Sequence, residues 1–359
     1  MDAHGQARQP SGTGKMIAAL GLAVLAYVLY IVIGTVGYVL GDGDEWSWGY
    51  IVMGAVSALP ALGFVCLLGG KDLAAPRVRG LLGAWKIVWI LMVMALVFGG
   101  LSIYDPFEGV GVEVVEGWPE RLAMTAVTCL GIGIFEEFTC RGLVLQGLLG
   151  RMGASRKGVV AACVISALFF GFIHVMYDLA PDPLTIAQAV MKTLSSGAFG
   201  FAMVGVVLKT RSLWPAVLFH GAYDFLLMIV DALTAAVSET VYVVQDTEEA
   251  VSTIVMYAVI LVVSIPAIVK TVKLIREAPV PYRGAFYRYE AGGTVPGSPE
   301  APAAAGVVAA GAPVVPGSPV PPTGVAGSAV PGSWDAAAGA AGPVVPGSPK
   351  DDPQRGQQG

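Results

Sequence analysis

Long apolar segments recur along most of this chain, and they constrain its fold more than any other feature. A helix needs about 20 residues to cross the hydrocarbon core of a bilayer. The sequence contains eight such segments, near residues 16–40, 49–70, 85–103, 122–150, 158–177, 185–208, 212–234 and 250–269. Only 13% of the residues are charged, against about 25% in soluble domains. We therefore predict an all-α polytopic membrane protein with about eight transmembrane helices.

The charges between these segments predict the orientation of the helices. Lys and Arg accumulate on the cytoplasmic side of membrane proteins. Here they occupy every second connection, near residues 71–86, 151–157, 209–211 and 270–276, and the alternate connections are acidic. Both termini are then cytoplasmic, with residues 1–15 as an N-terminal tail. We place the protein in the plasma membrane, in contact with lipid. The loops contain no basic patch suited to nucleic acid.

The composition changes after residue 278. Residues 279–359 are rich in Pro, Gly, Ala and Val, with repeated Pro-Gly-Ser words. Such a segment cannot offset its ordering entropy by burying a core. We therefore predict a transmembrane domain over residues 16–278, with its motifs between 120 and 234, followed by a disordered low-complexity tail over 279–359.

The fourth apolar segment carries charges that are costly at membrane depth. Glu137 and Arg141 are four residues apart, so they share one helix face in the favourable order and should form an ion pair. Glu136 lies roughly a hundred degrees around the helix and has no local cation. It is therefore a candidate to accept and return a proton.

Two further segments repeat the four-residue spacing. Phe170 lies one turn from His174, and His220 lies one turn from Asp224. Counting from the cytoplasmic turns at about 1.5 Å per residue, Glu136 and His174 reach similar depths and could meet. His220 lies only about 12 Å above Ser212, so its helix must start deeper, tilt, or border a water-filled cavity.

These motifs resemble those of a known family. The ordered set EExxxR, FxxxH and HxxxN/D on successive apolar helices is similar to that of the CPBP intramembrane proteases, which include type II CAAX prenyl endopeptidases and the Abi bacteriocin-processing and immunity proteins. This sequence presents the set as Glu136-Glu137-x-x-x-Arg141, Phe170-x-x-x-His174 and His220-x-x-x-Asp224. Asp224 departs from the many members that carry Asn at this position.

The resemblance implies hydrolysis of a peptide bond in a membrane-associated, prenylated or leader-bearing protein. Glu136 and His174 would hold and deprotonate the attacking water, and Glu137 with Arg141 would brace the helix. His220 with Asp224 would stabilise the oxyanion. An ionised Asp224 would repel an oxyanion, so it must be protonated or act by orienting His220.

The metal requirement stays open at this point. Glu136, His174 and His220 form a possible His₂Glu set for catalytic zinc. The metal-free alternative, with Glu136 as the base, is preferred because no HExxH helix is present and because no separate base remains once Glu136 becomes a ligand.

Two other classes of function compete with a protease. A catalytically silent scaffold or bacteriocin-immunity protein could keep the fold, although such a protein has no need for costly intramembrane charges. A proton-coupled transporter could use the same Glu, His and Asp residues, but the sequence shows no matched pair of broken helices.

Overall fold

Helices dominate the protein because a backbone in lipid must satisfy its own hydrogen-bonding groups. The computed structural model describes residues 12–44, 46–106, 109–176, 182–234, 243–244 and 246–287. The helices are α1 (Thr13–Leu40), α2 (Trp48–Leu67), α3 (Lys71–Ala74), α4 (Leu81–Ile103), α5 (Trp118–Glu137), α6 (Leu145–Met152), α7 (Arg156–Ile173), α8 (Pro183–Thr210), α9 (Trp214–Leu233), α10 (Thr247–Val263) and α11 (Ile265–Glu277). A π-helical segment, Phe138–Val144, joins α5 to α6.

The predicted fold class is confirmed. Within the described residues, seven helices are long and apolar enough to cross a membrane, and α10 with α11 forms an eighth candidate that is bent by 44°. The bend follows Ser264, and Pro266 occupies the first turn of α11. A proline has no N–H group to continue the helical hydrogen bonds, which accounts for the break. The eighth predicted segment, 250–269, therefore falls on two helices.

A short hairpin follows α4. Strand β1 (Tyr104–Asp105) pairs antiparallel with β2 (Val110–Gly111), with Tyr104 opposite Gly111. Val115 lies between the hairpin and α5, and its N–H donates to the carbonyl of Leu233 at the end of α9. The hairpin and the start of α5 therefore lie near the end of α9.

Close glycine contacts bring the site-bearing helices together. A Cβ atom on Gly133 of α5 would lie 2.9 Å from the carbonyl oxygen of Val217 on α9. A Cβ on Gly221 of α9 would lie 3.0 Å from the carbonyl of Cys129 on α5. Membrane helices pack through such small residues. The two backbones therefore approach closely within one turn of Glu136, Glu137 and His220.

The end of the predicted membrane domain continues into ordered chain. Residues 279–287 are described, and Phe286 is buried in the core of the bundle at 2% exposure. The remainder of the predicted tail, 288–359, lies outside the described residues, as do residues 1–11 of the predicted N-terminal tail. Helix α1 begins at Thr13, a little before the predicted start at residue 16.

Candidate active site

A widened helical turn carries the first group of polar residues. Glu137 ends α5 and Arg141 lies in the π-helical segment. The N–H of Leu145 donates to the carbonyl of Cys140, five residues back, as a π-helix requires. That same carbonyl also accepts a hydrogen bond of 2.8 Å from the hydroxyl of Ser166 on α7. A π-helical segment of this kind occurs frequently at functional sites.

Glu137 and Arg141 form the ion pair that their spacing predicts. Nη1 of Arg141 lies 3.0 Å from Oε1 of Glu137, and both side chains are fully buried. The guanidinium also stacks over the Phe170 ring, 4.4 Å from its centroid. A Cβ on Gly200 of α8 would lie 2.9 Å from Nη2 of Arg141. The cation is therefore held between an aromatic ring and the backbone of α8.

His220 on α9 is the centre of the site. Its Nδ1 lies 2.7 Å from Oε1 of Glu137, the same oxygen that pairs with Arg141. A carboxylate held by an arginine accepts hydrogen bonds and donates none, so Nδ1 carries the hydrogen. The pair fixes the tautomer and the orientation of the imidazole, and its second nitrogen, Nε2, points to the other carboxylates.

Two carboxylates face Nε2 of His220. Oε2 of Glu136 lies 3.3 Å from it and Oδ2 of Asp224 lies 3.5 Å from it. An imidazole lone pair facing two carboxylate oxygens would be repulsive, so this arrangement requires a hydrogen on one of the three atoms. Glu136 and Asp224 are 16% and 20% exposed, whereas His220 is 3% exposed. The two carboxylates therefore form the accessible edge of the cluster.

Aromatic rings cover the other side of His220. Its ring centroid lies 5.0 Å from that of Phe199 on α8 and 5.6 Å from that of Phe170 on α7. Phe170 also makes an edge contact with His174 at 4.7 Å. These rings exclude water from one face of the imidazole and strengthen the electrostatic contacts on the other.

His174 joins the cluster through Phe170. It follows the last residue of α7, and its Nδ1 lies 2.7 Å from the carbonyl oxygen of Phe170. The predicted one-turn relation between the two rings is therefore present. The structure connects His174 to His220 by way of the Phe170 ring, which touches both.

The start of α9 is buried inside the protein. The residues before it, Ser212 and Leu213, are buried at 1% and 0% exposure. The N–H of Leu213 donates to the carbonyl of Leu73, and the indole of Trp214 donates to the carbonyl of Ala74, both in α3. These contacts hold the start of α9 against α3.

The predicted zinc set is Glu136, His174 and His220. Oε2 of Glu136 lies 3.3 Å from Nε2 of His220, and Oδ2 of Asp224 lies 3.5 Å from the same nitrogen. Among the described residues, no three His, Cys, Asp or Glu side chains are grouped as ligands of one metal ion. We therefore derive no step through a metal.

Several contacts in the site were not predicted from the sequence. The spacing assigned Glu137 to Arg141 alone, but Glu137 also holds His220 across the α5–α9 interface. Phe199 and Ser166 belong to no motif, and nothing in their local sequence distinguishes them from other residues of apolar helices. Phe199 reaches the site because α8 approaches α9, and Ser166 reaches it because α7 approaches the π-helical segment.

Comparison with known families agrees with the motifs. A family model described as type II CAAX prenyl endopeptidase Rce1-like matches residues 118–226. That range runs from the start of α5 into α9, and it includes all six predicted site residues, Glu136, Glu137, Arg141, His174, His220 and Asp224. No curated protein and no solved structure matches the chain. Over the matched residues, the family predicted from the motifs is confirmed.

Proposed function

We propose that this protein, whose residues 118–226 match the type II CAAX prenyl endopeptidases, hydrolyses a peptide bond of a membrane-associated protein with Glu136 as the general base. The observation that carries the proposal is the contact of His220 with Glu136, Glu137 and Asp224 in one buried cluster. Amide hydrolysis needs an activated water, a donor to the oxyanion and a proton for the leaving amine.

Glu137 and Arg141 support the reaction without taking part in it. The Arg141 guanidinium pairs with Oε1 of Glu137 at 3.0 Å, and the same oxygen holds the hydrogen of His220 on Nδ1 at 2.7 Å. Nε2 is then the nitrogen available to the reaction. This is the orienting role that a buried carboxylate has beside a catalytic histidine.

Glu136 is the group we assign to the attacking water. Its Oε2 is buried and makes no hydrogen bond to any described residue, although it lies 3.3 Å from Nε2 of His220. A carboxylate with an uncommitted oxygen beside a protonatable imidazole can take a proton from water and pass it on. His174 would help to hold that water from the neighbouring end of α7.

His220 would donate to the developing oxyanion, and Asp224 would orient it. Oδ2 of Asp224 lies 3.5 Å from Nε2. An ionised Asp224 stabilises the imidazolium form of His220, which is the form that donates from Nε2 to an oxyanion. This role suits Asp better than direct oxyanion donation, which an Asn amide could provide.

The proposed mechanism is glutamate-based, because Oε2 of Glu136 makes no hydrogen bond to any described residue and a carboxylate can take a proton from water. The substrate is proposed to be a prenylated or leader-bearing membrane protein. The basic connections favour the cytoplasmic side, so we propose that both termini are cytoplasmic and that the protein lies in the plasma membrane.

The test compares the N- and C-termini of membrane proteins, by terminal-peptide mass spectrometry, in cells expressing the wild type or Glu136→Gln at equal levels. Glu277→Gln, which changes a carboxylate 60% exposed at the end of α11, is the matched control. We expect specific new termini with the wild type and the control only. Identical inventories for all three proteins would favour the scaffold or immunity alternative.

A further inference from the structure

A buried glutamine links the segment after the last helix to the turn that carries Arg141. Gln146 lies on α6 at 2% exposure. Its Nε2 donates to the carbonyl oxygen of Arg141 at 3.0 Å, and its Oε1 accepts from the N–H of Ala285 at 2.9 Å. The side-chain amide thus donates to the π-helical segment and accepts from residues 279–287. We call residues 279–287 the C-terminal strap.

The strap is fixed to the bundle at several points. The N–H of Tyr282 donates to the carbonyl of Gly153 at 2.7 Å, and Nη1 of Arg211 donates to the Tyr282 hydroxyl at 3.0 Å. Phe286 is buried at 2% exposure. Burial of a large aromatic side chain stabilises a packed segment substantially. The strap is therefore part of the folded domain.

The position of Gly284 lets the strap reach Gln146. Its φ of +72° lies in the left-handed region, which residues with a Cβ rarely adopt. A Cβ there would also lie 2.8 Å from Oε1 of Gln146. The close contact of the strap with Gln146 therefore depends on the absence of a side chain at Gly284.

Side-chain donors add to the backbone hydrogen bonds of the π-helical segment. In a π-helix the backbone hydrogen bonds skip to the fifth residue, so the turn is wider and less stable than α-helix. Side-chain donors reach two consecutive carbonyls of this segment: Ser166 binds that of Cys140 and Gln146 binds that of Arg141. Of the two, only Gln146 is also bonded to the strap.

We propose that Gln146 is a positioning residue, and that the C-terminal strap acts through it to hold the π-helical turn at the geometry in which Arg141 and Glu137 orient His220. The proposal rests on the proposed function for its effect on turnover. Its structural part, the coupling of the strap to the turn, stands independently of any activity.

Gln146→Leu removes both hydrogen bonds, and Gln146→Glu keeps the acceptor for Ala285 but turns an oxygen toward the Arg141 carbonyl. Gly284→Ala displaces the strap instead. We expect each variant to lower kcat at least tenfold for a farnesylated CAAX peptide in liposomes, with KM changed less than twofold. Because all three act on one turn, Gln146→Leu combined with Gly284→Ala should lose no more than the larger single effect.

Gln188→Leu is the matched control. Gln188 is also fully buried and lies near the start of α8. Its Nε2 donates to the carbonyl of Val244 and its Oε1 accepts from the N–H of Val244, both at 3.0 Å. It should change kcat less than twofold. Hydrogen exchange of the amides of 138–145 should rise at least tenfold in the Gln146 and Gly284 variants and not in Gln188→Leu.

The exchange measurement needs no substrate, so it separates this proposal from the proposed function. Unchanged exchange over 138–145 in folded Gln146→Leu and Gln146→Glu would overturn the coupling. The coupling would also be overturned if the losses of kcat multiplied in the double variant, or if Gln188→Leu lowered kcat as much as Gln146→Leu does. Absence of cleavage by the wild type, with the exchange result as expected, would overturn the protease assignment and leave the coupling in place.

Discussion

The buried ion pair makes a quantitative prediction about stability. Arg141→Met removes the cation and leaves the fully buried carboxyl group of Glu137 without the guanidinium that lay 3.0 Å from it. At an effective dielectric constant of 20, two unit charges at that distance attract by about 5.5 kcal/mol. Breaking a buried pair on one side costs about 3–5 kcal/mol. The contact with the Phe170 ring, 4.4 Å away, is lost as well.

We therefore expect Arg141→Met to unfold about 6–20 °C below the wild type, since 1 kcal/mol corresponds to roughly 2–4 °C in a domain of this size. Unfolding in detergent can be followed with a thiol-reactive dye, because Cys129, Cys140 and Cys163 are buried in the folded protein.

The double variant Glu137→Gln with Arg141→Met separates charge from packing. It removes the uncompensated carboxylate, so at least half of the lost stability should return. The activity should stay low, because an amide replaces the carboxylate that orients His220. A melting temperature for Arg141→Met within 2 °C of the wild type, or no recovery in the double variant, would refute the reasoning.

Three further predictions concern the packing, the site and a helix cap. Gly171→Ala should destabilise the protein by about 1–3 kcal/mol in a thermal melt, because its Cβ would lie 2.0 Å from a carbonyl oxygen of α8; an unchanged melt would contradict the close approach of α7 and α8. Asp224→Asn should keep kcat within about tenfold of the wild type in steady-state assays, since the amide can still orient His220. Asp224→Leu should lower kcat about a hundredfold. Equal losses of kcat in the two variants would contradict an orienting role. Asp182 caps α8 and its pKa is lowered by hydrogen bonds from the side chain and backbone of Thr185. Its capping should therefore be complete above about pH 4 and be lost as the pH falls through the lowered pKa. Amide hydrogen exchange at the start of α8 should show that loss in the wild type and not in Asp182→Asn, which caps without titrating. Identical pH dependence of exchange in the two proteins would contradict the prediction.

The membrane fold could be predicted from the sequence because its signals are local. Each apolar segment is long enough to be recognised by itself, and Pro or Gly residues mark many of the ends. The break of the eighth segment at Ser264 was not predicted, although Pro266 follows it, because membrane helices often tolerate proline without breaking.

The site could be predicted only in part, for a physical reason. The pairing of Glu137 with Arg141 and the edge contact of Phe170 with His174 each lie along one continuous helical stretch, where four-residue spacing brings the side chains together. The contact of Glu137 with His220 crosses from α5 to α9, and it depends on how closely Gly133 and Gly221 let the helices approach.

The order of the C-terminal strap could not be predicted from its sequence. Its composition continues into the Pro- and Gly-rich sequence that follows, so the predicted boundary at residue 279 took the whole segment as tail. What anchors it is tertiary: Phe286 enters the core and Ala285 meets Gln146, which is distant in sequence. Propensity alone does not reveal such contacts.

Cleavage of a farnesylated CAAX peptide by purified protein in liposomes, wild type against Glu136→Gln, tests the central claim most directly. Equal melting temperatures should accompany the comparison, so that a loss of activity is not a loss of fold. We predict cleavage by the wild type and a rate at least a hundredfold lower for Glu136→Gln, the range that general acid–base catalysis supplies. Cleavage at the wild-type rate by Glu136→Gln would contradict the account.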